Sequence, residues 1–162
     1  MKMLLAAVCL TAFVTPLAFA ESKIELDAKV QEARSTFAKH TSAGAELAAK
    51  AHGVLVFPSV IKAGFGVGGE YGEGALLIGG KTAGYYNIAA ASIGLQLGAQ
   101  ARSEIILFMT AEALRNFRES QGWKAGVDGS VALATLGAGG SIDTDTAKKP
   151  IIGFIFSGKG LM

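Results

Sequence analysis

The sequence predicts an α+β fold: an antiparallel, glycine-rich β-sheet curled into a sandwich or barrel, with an N-terminal amphipathic helix and one or two further short helices. Three observations carry this expectation. The 162-residue chain has 22 glycines set among Val, Ile, Leu and Phe with no G-X-Y period, a pattern of packed β-structure and not of collagen or a flexible tail. Ile93–Ala101 alternates without a break, with Ile93, Leu95, Leu97, Ala99 and Ala101 on one side and Gly94, Gln96, Gly98 and Gln100 on the other, as a half-buried strand does. Helical spacing is confined to a few short stretches, and the apolar runs follow one another with short turns, as in an antiparallel sheet.

In chain order, residues 22–39 read as the N-terminal helix. Ser22 and Glu25 have capping-box spacing, and Leu26, Val30, Ala33 and Phe37 recur at helical intervals. Lys29, Glu32, Arg34 and Lys39 occupy the other face. Because their charges are mixed, the helix is expected to cover the domain core and not to lie on a membrane. A short helix follows over 43–51 with Gly53 as its stop. Val54–Phe57 reads as a buried strand closed by Pro58. Over 63–78, Gly64, Gly66 and Gly68 alternate with Phe65 and Val67, so an extended chain shows a glycine face that another backbone can approach closely. Glu104–Met109 is a buried run, Thr110 caps a helix carrying Leu114 and Phe117 inward to Gly122, and 124–136 alternates again. Residues 143–150 read as a polar loop and 151–156 as the last apolar strand.

The first twenty residues have the three parts of an export signal: Lys2, the uncharged apolar stretch Met3–Val14, and Ala18-Phe19-Ala20 after Pro16. The expected organisation is therefore a signal peptide over 1–20 and one domain over 21–162, working outside the cytoplasm as a periplasmic or secreted protein. An uncleaved anchor is the alternative, disfavoured by the early proline and the small-residue site. Cleavage removes Cys9, the single cysteine, and with it disulfide, thiolate-metal and cysteine-nucleophile chemistry. With Lys2 gone, 14 basic residues face 13 acidic ones, without the basic excess of nucleic-acid binders.

Several motifs fail on context. Gly64-x-Gly66-x-x-Gly69 is followed by Glu70-Tyr71-Gly72-Glu73-Gly74, a poor helix that sets carboxylates where a pyrophosphate would sit. Gly79-Gly80-Lys81-Thr82 lacks the first glycine of a phosphate loop, because Ala75 stands there. It reads instead as a glycine turn with Lys81 exposed. His40 and His52 have no metal spacing, and Asp143 and Asp145 lack the remainder of a calcium loop. Glu70 and Glu73 could form an acid/base pair, but no nucleophile accompanies them. No enzyme activity, metal or cofactor is expected.

Phe57-Pro58-Ser59 followed by Lys62-Ala63-Gly64-Phe65, then Gly68-Gly69-x-Tyr71-Gly72-x-Gly74 and Gly94-Leu95-Gln96-x-Gly98, resemble the lipid-binding SYLF domain family, which includes yeast actin-patch proteins. The resemblance covers roughly residues 35–162. It implies a binding module: eukaryotic relatives bind phosphoinositide membranes and some bind actin, while exported bacterial members are lipid-binding envelope proteins. For an exported chain, the expected partner is an anionic phospholipid or membrane surface, bound peripherally, with no nucleic acid. Relatives usually continue past the Lys159-Gly160-Leu161 region with a further strand. A shortened final strand or an open sheet edge is thus expected, and with it self-association. Candidate lipid-binding cations near the glycine-rich elements are Lys62, Lys81, Lys124, Lys148, Lys149 and Lys159. Each contributes about 1 kcal/mol at an anionic surface, giving weak, salt-sensitive attachment.

Overall fold

The computed structural model describes residues 22–119, 132–134, 140–157 and 160–161, with backbone alone for 62–70, 88–101 and the strand residues 132–133, 157 and 160–161. The signal-like residues 1–20 lie outside the described residues.

One hairpin dominates the sheet. Strands β1 (Gly53–Ile78) and β2 (Lys81–Phe108) pair antiparallel from Gly53↔Phe108 to Ile78↔Lys81. Gly79 and Gly80 join them at φ 62° and 80°. Positive φ at both central positions is what a type I′ hairpin turn requires, and glycine adopts it without steric cost. The far end of β2 pairs antiparallel with β4 (Ile151–Ser157), from Ser103↔Phe156 to Phe108↔Ile151. The other side of β4 takes two short strands. β3 (Ala132–Leu133) runs parallel against Ile152 and Gly153, and β5 (Gly160–Leu161) folds back antiparallel onto Phe156 and Ser157.

The sheet is curled but not closed. Thirteen residue steps of straight strand span about 43 Å, yet a Cβ on Gly72 would lie 2.8 Å from the Ser59 carbonyl oxygen. A Cβ on Gly74 would meet the Val56 carbonyl and the Phe57 ring. Strand β1 therefore doubles back between Val60 and Gly72 and lays its distal part against its own beginning. Of the expected sandwich or barrel, closure into a barrel does not follow. Among the described residues the strand order β1-β2-β4-β3 shows no pairing of its ends, and the returning arm approaches β1 at Gly72 and Gly74.

Alternate residues of the arm enter two cores. Ala75 and Leu77 join Val54, Val56, Ile105, Leu107, Ile152, Phe154 and Phe156 under helix α1 (Lys23–His40). Leu76 joins Leu55, Phe57, Ile106, Phe108 and Phe117 beneath helix α3 (Ala111–Glu119). Helix α1 begins at Ser22, whose side chain accepts from the Glu25 N–H, and it buries Leu26, Val30, Ala33 and Phe37. Thr110 Oγ1 accepts from the Ala113 N–H at the start of α3.

Local expectations need three amendments. Pro58 does not close a strand: β1 continues through it at a register shift between Phe57 and Val60, where a residue without an N–H interrupts no ladder. The short second helix, α2 (Ser42–Lys50), ends before Gly53, which instead opens β1. Residues Thr144–Ala147 form a one-turn helix, α4, in the expected polar loop, with Asp143 accepting from the Thr146 N–H. Gly122 and most of 124–136 lie outside the described residues.

Thr41 fixes the α1–α2 corner. It is buried, its Oγ1 accepts from the Gly44 N–H at 3.0 Å, and its hydroxyl donates to the Gly140 carbonyl at 2.7 Å. Gly140 has φ 78°, and a Cβ there would lie 2.8 Å from the His40 carbonyl oxygen. Thr41→Val keeps the shape but strands the Gly44 N–H and the Gly140 carbonyl. It should lower stability by about 1–3 kcal/mol, measured by urea denaturation.

Candidate binding site

Two features face solvent along opposite flanks of α1. The first is a groove of about 380 Å³ between the middle of α1 and the β-bulge. Lys29, Glu32 and Thr36 lie along one stripe of the helix; Pro58 and Ser59 come from β1, Ser103 from β2 and Phe156 from β4. The register passes from Phe57↔Glu104 to Val60↔Arg102, which leaves Pro58 and Ser59 unpaired beside Ser103. Ser103 Oγ donates to the Pro58 carbonyl at 2.7 Å and holds the bulge in place. On the opposite face of β2, Arg102 donates to Glu104 Oε1 from Nε at 2.9 Å and from Nη2 at 2.8 Å. Glu104 is only 3% exposed. This ion pair pins the strand segment that presents Ser103.

The second feature is the meeting of the hairpin tip with the first turns of α1. Asp27 accepts from Thr82 Oγ1 at 3.2 Å and from the Tyr85 hydroxyl at 3.1 and 3.2 Å. Lys23 Nζ stands 5.1 Å from the Tyr85 ring centroid, within cation–π range. Desolvation, then the hydrogen bond to Asp27 and its charge, raise the Tyr85 phenol above its ordinary 10.0. The hydroxyl thus stays a donor through neutral pH, and this tether weakens only as pH climbs through that raised value. Beside it Ile24 is 83% exposed and Tyr85 38% exposed.

The expected cations come from several elements. Lys81 is exposed at the tip, as its place after the glycine turn suggests, while Lys148 and Lys149 are exposed beyond α4. Lys62 lies on β1 opposite Gln100; Lys124 and Lys159 lie outside the described residues. The family-like residues divide by role. Phe57 is buried core, Pro58 and Ser59 shape the groove, and Gly72 and Gly74 admit the returning arm. Tyr71 is half-exposed and donates to Glu73 at 3.0 Å. Gly64 pairs with Gly98, Phe65 with Leu97, Gly68 with Ser92 and Gly69 with Ala91. Gly94 and Gln96 lie on β2 around the register shift opposite Phe65–Val67. Lys29 and Glu32 are legible in the sequence as one helix face, whereas nothing local shows that Thr36, Ser59 and Ser103 line the same groove. The signal available was the stripe Lys29, Glu32, Thr36.

Most of β2 and everything after it, including Ser103 and Phe156, fall in a region with a family assignment. Residues 89–162 match the Ysc84 family, described as Las17-binding protein actin regulator. This is the family that the glycine motifs resemble, also known as SYLF. The Ysc84 match includes Gly94, Gln96 and Gly98, whereas α1 and the Pro58–Ser59 bulge precede it. No curated protein matches the chain. Among the described residues, no helix is long and apolar enough to cross a membrane.

Proposed function

We propose that this Ysc84-type domain is an exported, non-enzymatic envelope module that attaches peripherally to membranes of anionic phospholipid. The observation that carries this reading is the end of the molecule where exposed Ile24 and Tyr85 stand beside Lys23 and the tip residue Lys81. An aliphatic side chain and an amphipathic ring suit the headgroup boundary, and each lysine adds about 1 kcal/mol there. The export-signal pattern of residues 1–20 supports delivery outside the cytoplasm, where lipid is available and actin is not.

Vesicles of phosphatidylglycerol in phosphatidylcholine should sediment the protein at low ionic strength and release it in salt. Removing both charges with Lys23→Gln and Lys81→Gln should weaken binding by roughly 30-fold. Absence of sedimentation at low salt, or indifference to both substitutions, would refute the reading. A second reading, protein–protein interaction, draws on the outer side of Lys81–Asn87, which pairs with no strand among the described residues. It predicts a lipid-independent, concentration-dependent oligomer in sedimentation velocity.

A further inference from the structure

We infer that the cleft between α1 and α2 binds a free aliphatic carboxylate of medium chain length. The cleft holds about 380 Å³, in the range of small-molecule sites. Its base is apolar, lined by Phe37, Val54 and Ile105, all members of the core beneath α1. The α2 wall consists of the short side chains of Ala45, Ala48 and Ala49. A hydrocarbon tail lying against this wall continues the core outward, and every methylene it buries adds to affinity.

The polar side of the cleft belongs to α1, where Gln31 and Ser35 are exposed and Arg34 is half-buried. Arg34 is the one charged residue lining the cleft among the described residues, so an anion meets a guanidinium and no carboxylate. Arg34 Nη1 donates to Gln31 Oε1 at 3.1 Å. That bond steadies the guanidinium and uses one of its five N–H donors. It also engages the Gln31 acceptor, so the NH2 group is what this amide can offer a ligand. The planar fork of an arginine matches the two oxygens of a carboxylate. A phospholipid acyl chain is esterified and lacks that charge, so the chemistry fits a free acid and not a bilayer lipid. The walls are also fixed in advance. Thr41 ties the α1–α2 corner to Gly44 and Gly140, and Gly44 lies close against the Phe37 ring, so little ordering is needed on binding. The cleft uses none of Lys23, Ile24, Lys81 or Tyr85 and is independent of the membrane-attachment reading.

Calorimetric titration of the protein with sodium octanoate at neutral pH should show saturable binding. Affinity should rise about fourfold for each methylene from butanoate to octanoate. Octylammonium and methyl octanoate, which keep the tail without the negative charge, should bind about tenfold or more weakly. Arg34→Gln should lower octanoate affinity by a similar factor while leaving methyl octanoate unchanged. Ala49→Phe, at an exposed position on the wall, should block both ligands with little change in the urea midpoint, whereas Lys23→Gln/Lys81→Gln should alter neither. Octylammonium or methyl octanoate binding as tightly as octanoate, no dependence on chain length, an unchanged affinity in Arg34→Gln, or no saturable binding would overturn the inference. Loss of anionic-vesicle binding with octanoate binding intact would count only against the membrane-attachment reading.

Discussion

Phe37→Ala is expected to lower stability by about 3–5 kcal/mol, the largest single loss among these substitutions. Phe37 is 3% exposed at the end of the buried stripe of α1. Its ring centroid lies 4.8 Å from that of Phe154 at 67° and 5.9 Å from that of Phe156. Edge-to-face geometry of this kind adds to the burial of area alone. The position also joins three elements, since a Cβ on Gly44 of α2 would reach 2.6 Å from Phe37 Cζ. Truncation therefore opens a void beneath two helices and one strand that cannot all collapse into it. Chemical denaturation should show a lower midpoint with an unchanged slope. Phe37→Leu should recover most of the loss, and Ile24→Ala, at a residue 83% exposed, should stay within about 0.5 kcal/mol of the parent.

Gly74→Ala should cost about 1–3 kcal/mol, at the upper end of that range because one obstructing atom is a backbone carbonyl oxygen, that of Val56, with the Phe57 ring close behind. A side-chain end could swing aside, but the carbonyl moves only if the arm lifts. Lifting the arm draws Ala75 and Leu77 from one core and Leu76 from the other. The variant should then bind an apolar dye in its native state as well as unfold at lower denaturant. Gly79→Asn is the control: the site has φ 62° and open space around it, and Asn tolerates that conformation, so little should change.

Features set by near neighbours are legible in the sequence. Helix α1 was visible from Ser22 and four apolar residues because capping and helical spacing depend only on near neighbours. The alternation around Ile93–Ala101 marks a strand that lies within β2, whereas the close approaches found fall at Gly72 and Gly74, beyond the glycine face of Gly64, Gly66 and Gly68. Features that depend on distant partners were not visible. Pro58 reads as a strand end until Ser103, 45 residues away, is seen to hold its carbonyl. Alternation gives the faces of a sheet but not its ends, so it does not distinguish an open sheet from a closed one. Lysine positions indicate exposure without indicating assembly: Lys81 follows the hairpin turn, and Lys148 and Lys149 follow α4. The groove draws on α1 and three strands, so no single stretch of sequence displays it.

The two-glycine connection between β1 and β2 also bears on how the chain reaches this structure. Because the strands meet through so small a loop, pairing can begin at Ile78↔Lys81 and proceed outward, each rung bringing the next within reach. Gly53 and Phe108, the most separated pair of the ladder, then need no independent search, and the loop-closure entropy that slows non-local β-structure is met in small steps. The return of the arm is a separate step, in which Gly72 and Gly74 lay it against the beginning of β1. The natural division of the folding reaction is thus a zipper followed by a latch.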